Sequence, residues 1–244
     1  MVLSTVVAAL LGVFAARSIV AESDAHRNEL TDRWLGPRCG RCNTVLTVTL
    51  ATCRRQQHPQ RRSNIVVLVG STALSGALAL ALPSLWLLPG YLIFLWAMIL
   101  LTITDLDTKL IPNRILGPAT IAGVVLLLAG HYLNEERGDL LVAAMGGVTY
   151  FAVMLLLALI VRGGLGFGDV KLSFLIGVFT GYLGVGHVVV AGLGSFLLGG
   201  LVALFLLATR RQSRKDAIAF GPFMTIAAIV TVFFGESIVA WYLR

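Results

Sequence analysis

The chain has 244 residues, of which 57% are hydrophobic and only 13% are charged, and its formal net charge is +7. A soluble domain of this size cannot bury so much apolar surface, so most of it must face lipid or other apolar helices. The Lys and Arg residues cluster between the apolar stretches, where membrane topology places them, and this argues against a nucleic-acid-binding protein.

Eight apolar segments are predicted to be transmembrane helices, since each is near the ~20 residues that a spanning helix needs. They cover residues 2–21 and about 65–82, 90–106, 114–133, 140–161, 169–185, 187–208 and 218–242. Because no Lys or Arg precedes the first segment, it is expected to be a retained span rather than a cleaved signal peptide. The sequence predicts an all-α polytopic membrane protein in three parts: a first helix (1–21), a polar loop (22–64) and a transmembrane domain (65–244).

The polar loop predicts the orientation of the chain. It carries eight arginines, from Arg27 to Arg62, and such a loop stays in the cytoplasm. Threading the helices from there places the positive charges of 107–113, 162–168 and 209–217 on the same side. We therefore expect a multi-pass protein of the cytoplasmic membrane.

Two acidic residues lie at the ends of predicted helices. Asp105 lies near the end of the third segment, and Asp169 opens the sixth behind a run of glycines. A carboxylate at the margin of lipid is costly unless it has a partner or a function. The two intervening segments form one hairpin, so the alternation of helix direction returns both carboxylates to the same membrane face.

A pair of neighbouring carboxylates favours acid–base chemistry. Because both cannot ionise cheaply, they share a proton and titrate together. Such a pair can deprotonate a water molecule with one carboxylate and donate a proton to a peptide carbonyl with the other. The glycines before Asp169 would let an extended peptide approach the acid. A phosphate-binding loop is the alternative, but its Gly-Lys-Ser/Thr continuation is missing.

The nearby charged residues have simpler interpretations. Asp107 and Lys109 are expected to form a solvated pair at the helix end. Lys171, two residues after Asp169, is expected to be an interfacial anchor because a helix directs the two side chains apart.

Three sequence elements resemble those of the bacterial type IV prepilin peptidases, which are membrane aspartic peptidases with a Gly-x-Gly-Asp motif. Gly166-Phe167-Gly168-Asp169 matches that motif, and Val170-Lys171-Leu172 matches its usual continuation. Asp105, followed seven residues later by Pro112 and then Asn113, is similar to the second family element. Phe220-Gly221-Pro222-Phe223 is similar to a third. The resemblance covers roughly residues 65–244.

The resemblance implies a function and a site. Asp105 and Asp169 would be the catalytic pair, with no cofactor required for proteolysis. The substrate would be the N-terminal segment of a prepilin or pseudopilin, cut after a short basic leader at the cytoplasmic membrane face. The residues expected to contact the substrate surround the pair: Pro112, Gly164, Gly166, Phe167, Gly168, Phe220, Gly221 and Pro222.

The polar loop contains a Cys-x-x-Cys knuckle at Cys39 and Cys42, which in a cytosolic loop favours metal over a disulfide. Many members of the family have two such pairs, in a region linked to N-methylation of the cut substrate. Here the second pair keeps only Cys53, and His58 is the candidate fourth zinc ligand. The alternative is a degenerate loop with free thiols. No stretch of the loop identifies an S-adenosylmethionine site, so that cofactor is expected only if methylation is retained.

Three other functional classes share parts of this pattern. A preflagellin or signal-peptide-peptidase type of Gly-x-Gly-Asp peptidase would share the acid pair, but the long loop after the first span and the Phe-Gly-Pro-Phe element favour the prepilin branch. A proton-coupled transporter would place its acids near the middle of the bilayer on broken helices. A non-catalytic assembly component would have little reason to keep both acids. The sequence does not predict an oligomeric state.

Overall fold

The structure is a computed structural model, and it describes residues 2–28, 62–82, 84–133, 138–161, 165–209 and 219–243. These residues form eight α-helices and no strand. In chain order the helices are α1 (Val2–Asn28), α2 (Arg62–Ala81), α3 (Leu88–Thr108), α4 (Asn113–Leu133), α5 (Leu140–Ile160), α6 (Phe167–Leu183), α7 (Val185–Ala208) and α8 (Gly221–Tyr242). The all-α fold class is confirmed for this part of the chain.

Six of the helices are long and apolar enough to cross a membrane: α1, α3, α4, α5, α7 and α8. The apolar part of α2 is shorter, Ile65–Ala81, and α6 has 17 residues. At 1.5 Å per residue, α6 is about 25 Å long, a little less than the ~30 Å hydrocarbon core. The chain is a multi-pass membrane protein, but within the described ranges the expected count of eight spans is not confirmed.

Helix α6 lies at the centre of the bundle. It packs against α4, α5, α7 and α8, and its residues are buried almost continuously from Asp169 to Tyr182. Helix α3 packs against α4 and α8 and also meets the α1–α2 hairpin. Because α6 is surrounded by other helices, most of its surface contacts protein and little of it contacts lipid.

Aromatic residues of α3 connect it to the central helix. The Tyr91 hydroxyl donates to the Phe179 carbonyl oxygen at 2.8 Å, and the rings of Phe94 and Phe179 stack with centroids 4.6 Å apart. A buried hydroxyl needs such a partner, since an unpaired one costs about 1–3 kcal/mol. These contacts fix α3, which carries Asp105 in its last turn, against α6, which carries Asp169 in its first turn.

The α1–α2 hairpin packs through small residues. The Ser71 hydroxyl of α2 donates to the Gly12 carbonyl oxygen of α1 at 3.0 Å, and the hairpin is joined to α3 by the Trp96 indole N–H, which donates to Ser75 at 3.0 Å. The hairpin has its own small apolar core, around Ala16 and Ile19. It therefore forms a unit docked on one side of α3.

The closest helix contact is between α5 and α6, and it depends on glycines. A methyl group at Gly146 would lie 2.6 Å from the Gly177 carbonyl oxygen, and one at Gly177 would overlap the Gly146 carbonyl oxygen. Small residues at such crossings let backbones approach in lipid, where dispersion contacts drive helix association. Small residues also recur every four positions along α7, at Ala191, Ser195 and Gly199, but the backbone contact at Gly146 and Gly177 is between α5 and α6.

We expect Gly177→Ala to destabilise the bundle by about 1–3 kcal/mol, because the added methyl group overpacks this contact. The matched control is Gly200→Ala in α7, where a methyl group would meet no atom within 4 Å. The control should be neutral or slightly stabilising, since alanine favours helix. Thermal unfolding in detergent measures both, and equal midpoints for the two variants would contradict the packing argument.

Candidate active site

Asp105 lies in the last turn of α3 and is only 4% exposed. The helix ends three residues later because Lys109 adopts a left-handed conformation with φ 54°, and its N–H donates to the Asp105 carbonyl oxygen at 2.8 Å. The chain therefore turns away from the membrane helix directly after the acid. Oδ2 of Asp105 is buried and has no hydrogen-bond partner among the described residues.

Asp169 lies in the first turn of α6 and is 7% exposed. Its N–H donates to the Gly166 carbonyl oxygen at 3.0 Å, and the Gly166 N–H faces its carboxyl group. The unpaired N–H groups of a helix start carry partial positive charge, which favours an anion there. The sequence thus places this acid where its own helix stabilises the carboxylate.

The structure brings the two carboxylates within electrostatic range of each other. The start of α8 contributes to the same place, because Gly221 is buried against Asp105 and its N–H faces the Asp105 carboxyl group. A methyl group at Gly221 would lie 2.5 Å from Oδ2 of Asp105. Three helices therefore meet here: α3 and α6 supply the acids, and α8 supplies backbone.

The other residues expected to contact a substrate fall into different surroundings. Phe167 is 58% exposed, and Gly166 lies beside Asp169, where an added methyl group would be 3.3 Å from Oδ2. Gly168 packs against Ile111, and Gly221 against Asp105. The space beside Gly168 and Gly221 is therefore occupied by side chains of the protein.

Three further residues of the expected set belong to helix starts, and one lies outside the described residues. Pro112 is half-buried, and its carbonyl oxygen accepts from Ile115 and Leu116 in the first turn of α4. Phe220 packs at 5.3 Å between ring centroids on Phe196 of α7. Pro222 is buried in the first turn of α8. Gly164 is the residue outside the described ranges.

Sequence reasoning missed a hydroxyl pair next to the site. Thr102 of α3 and Thr225 of α8 lie 2.6 Å apart through their Oγ1 atoms, about one turn deeper than Asp105 and Gly221. One hydroxyl donates to the other, and the accepting one can donate to a carbonyl oxygen of its own helix, Met98 for Thr102 or Pro222 for Thr225. Threonine is common in membrane helices, so sequence gave no signal that these two meet.

Lys171 makes two specific contacts, and its expected role as an interfacial anchor stays a prediction. Its Nζ donates to Oδ1 of Asn113 at 2.9 Å and lies 4.9 Å from the centroid of the Phe167 ring. The bond joins the start of α6 to the start of α4. The following position, Arg114, and the residues Asp107 and Lys109 at the end of α3 also make contacts of their own.

Tyr150 is a buried residue of α5 that sequence reasoning did not single out. Its hydroxyl lies 3.1 Å from the Ser195 hydroxyl of α7, within electrostatic range of Asp169. Nothing in the sequence connects Ser195 with α5. The pair ties the outer helices α5 and α7 to each other near the site.

The described residues contain no group of three or more His, Cys, Asp or Glu side chains arranged to hold a metal ion. The proposed zinc ligands Cys39, Cys42, Cys53 and His58 all lie outside the described residues. The zinc hypothesis therefore stays a prediction.

The fold and the site together define a class of protein. It is the class of multi-pass helical membrane proteins that hold two interacting carboxylates at the ends of their helices. A family model described as the type IV leader peptidase family matches residues 92–207, from α3 to the end of α7. The match includes both aspartates and stops before α8. Over this range the chain is similar to the type IV leader peptidase family, and the match supports a membrane peptidase.

Curated relatives extend this match. The chain is 28% identical to a prepilin leader peptidase/N-methyltransferase of Aeromonas salmonicida, over 94% of this chain and 81% of that protein. It is 30% identical to the protein of the same name from Aeromonas hydrophila, over 78% of this chain and 65% of the relative. The Bacillus subtilis protein of that name is also 30% identical, over 66% of this chain and 61% of that protein. No solved structure matches the chain.

The hydroxyl pair between α3 and α8 gives a stability prediction. We expect Thr225→Val to cost about 0.5–1.5 kcal/mol, because it removes the bond to Thr102 from a site where a lost interhelical bond is only partly replaced. The matched control is Thr231→Val, since Thr231 is also buried on α8 and donates to its own helix, at Ala227.

Thermal unfolding of the single variants and of Thr102→Val/Thr225→Val measures the coupling between the two hydroxyls. We expect the double variant to lose less than the sum of the single losses. Strict additivity, or an equal loss in Thr231→Val, would show that the interhelical bond contributes nothing of its own.

Proposed function

We propose that the chain is an aspartic endopeptidase that removes the short basic leader from type IV prepilins or pseudopilins. The observation that carries this proposal is that the buried Asp105 and Asp169 carboxylates lie within electrostatic range of each other at the junction of α3, α6 and α8. The printed names of the relatives support the substrate class, since they are prepilin leader peptidases.

The mechanism uses one ionised and one protonated carboxyl group. The ionised carboxylate takes a proton from a water molecule, whose oxygen attacks the carbonyl carbon of the scissile peptide bond. The protonated carboxyl group donates to the carbonyl oxygen, and the tetrahedral intermediate then breaks at the C–N bond as the nitrogen gains a proton. Burial strengthens these interactions, because the site lies in a low-dielectric environment.

The helix starts at the site support the same chemistry. The N–H groups of Gly166 and Gly221 face the two carboxyl groups, one at the start of α6 and one at the start of α8. Backbone amides at helix starts stabilise negative charge without adding a titratable group. The pair can therefore carry one net negative charge while it retains its single proton for transfer.

The proposed orientation rests on the charge distribution of the sequence. An eight-span topology, with 22–64 as a cytoplasmic loop and 65–244 as the peptidase domain, puts most of the positive charge on one side. The acid pair then faces the cytoplasm at the inner membrane. A prepilin leaves the bilayer for the cytosol at this depth, with its basic leader outside the lipid.

We expect Asp105→Asn and Asp169→Asn each to lower leader removal by at least ~10³-fold, because an amide can neither accept nor donate the transferred proton. Purified variants would be incubated with a candidate prepilin, and mass spectrometry would measure cleaved and uncleaved chains.

The matched control is Asp107→Asn, which changes an exposed acid only two residues from Asp105 in the same helix. This variant should cleave at nearly the wild-type rate. Normal processing by either site variant, with membrane insertion equal to wild type, would refute the assignment of the pair.

A second activity, N-methylation of the new N-terminus, is favoured by the relatives' names, which include N-methyltransferase. It would need S-adenosylmethionine, which supplies the methyl group. We propose the loop 22–64 as the place to test it, with Cys39, Cys42, Cys53 and His58 as zinc ligands: three thiolates and one imidazole make a tetrahedral donor set.

Metal analysis of the purified protein tests the zinc proposal. We expect about one zinc ion per chain, lost in Cys39→Ser, while leader cleavage by the same variant continues because proteolysis requires only the carboxyl pair. A chain without stoichiometric zinc would remove the metal site, and an unchanged zinc content in the variant would remove Cys39 as a ligand.

A further inference from the structure

Ile111 lies in the short link between α3 and α4, and its side chain reaches two other helices. A methyl group at Gly168 of α6 would lie 2.8 Å from Cβ of Ile111. One at Gly221 of α8 would lie 3.3 Å from Cδ1 of the same residue. The two ends of this side chain therefore touch the first turns of two different helices.

The link that carries Ile111 is fixed at both ends. On one side, the left-handed Lys109 closes α3 by donating to Asp105. On the other side, Asn113 accepts the hydrogen bond from Lys171 of α6 at 2.9 Å. Ile111 is half-buried and packs against the main apolar core. Its position is thus determined by the same helices that carry the acids.

The contacts of Ile111 lie directly behind the acid pair. Gly168 precedes Asp169 in the chain, and Gly221 packs on Oδ2 of Asp105. The Ile111 side chain therefore fills the space between the first turn of α6, which carries Asp169, and the start of α8, which faces Asp105. A dense interior transmits such a contact, since packed atoms have little room to give.

We propose that Ile111 is a positioning residue that sets the separation of the Asp105 and Asp169 carboxylates, with Gly168 and Gly221 leaving the room that its side chain and the acid need. This inference rests on the proposed function, in which the two carboxylates act on one water molecule. Loss of the side chain lets the starts of α6 and α8 shift, and the shared water is then held less well. Small misplacements of this kind cost rate rather than binding.

The first test separates positioning from substrate contact. We expect Ile111→Ala to lower kcat for prepilin cleavage by about tenfold or more, with KM nearly unchanged. Ile111→Val keeps Cγ1, which alanine lacks and which a methyl group at Gly168 would meet at 3.4 Å, and it loses only Cδ1, so it should recover most of the rate. Leu110→Ala is the matched control, since Leu110 is the exposed neighbour in the same link, and it should behave like wild type.

A rise in KM at unchanged kcat would overturn the proposal, because Ile111 would then contact the substrate instead. Equal kinetic losses in Ile111→Ala and Leu110→Ala would also overturn it, because truncation of any large side chain in the link would then have the same effect.

The second test uses compensation between two positions. Gly168→Ala should lower kcat, because its methyl group meets Cβ of Ile111. Adding Ile111→Gly removes that Cβ, and the double variant should be more active than Gly168→Ala alone. In contrast, Ile111→Gly should not rescue Gly221→Ala, where the methyl group meets the Asp105 carboxylate itself. Rescue of neither variant, or equal rescue of both, contradicts the assigned contacts.

Thermal unfolding of the same proteins separates this inference from the proposed function. The loss of stability in Gly168→Ala/Ile111→Gly should be smaller than the sum of the single losses, whether or not a prepilin is cut. Additive losses would overturn the packing role. Absence of cleavage by the wild-type chain, with the stability coupling present, would refute the substrate assignment alone and leave the role of Ile111 in place.

Discussion

The structure depends on keeping two carboxylates buried beside each other in a helical membrane protein. Such acids are expensive at the margin of lipid, and a second acid nearby raises the cost. Here the polar groups that face them are backbone amides, from Gly166 at the start of α6 and Gly221 at the start of α8. Helix starts supply N–H groups that no intrahelical bond uses, so they stabilise a carboxylate at no further cost in buried polar groups.

This constraint explains why glycines surround the site. A backbone amide can approach a buried carboxyl group only if no side chain intervenes, and the packing at Gly221 leaves no space for one. Gly168 faces an apolar neighbour, Ile111, and allows the α3–α4 link to close over the first turn of α6. Gly168 and Gly221 therefore serve the protein's own packing, and their expected contact with a substrate peptide stays a prediction.

The sequence predicted the helices well because hydropathy and length determine them in a bilayer. Seven of the helices begin and end within about three residues of the expected bounds, and only α1 extends further, to Asn28. Alternation of helix direction also predicted that Asp105 and Asp169 lie at the same end. The Thr102–Thr225 and Lys171–Asn113 bonds could not be predicted, because they depend on the rotation of each helix about its axis. A membrane helix that is apolar on every side has no amphipathic pattern, so its sequence does not indicate that rotation.

Helix α8 connects the site to a part of the chain that the family model does not cover. That model stops at residue 207, yet the start of α8 faces Asp105, and Thr225 bonds to the helix that carries it. Helix α8 packs both on α3 and on α6, so it is placed by the two helices that carry the acids. A site built at such a three-helix junction is held by contacts far apart in sequence. Its geometry is therefore a property of the whole bundle rather than of the two motifs that carry the acids.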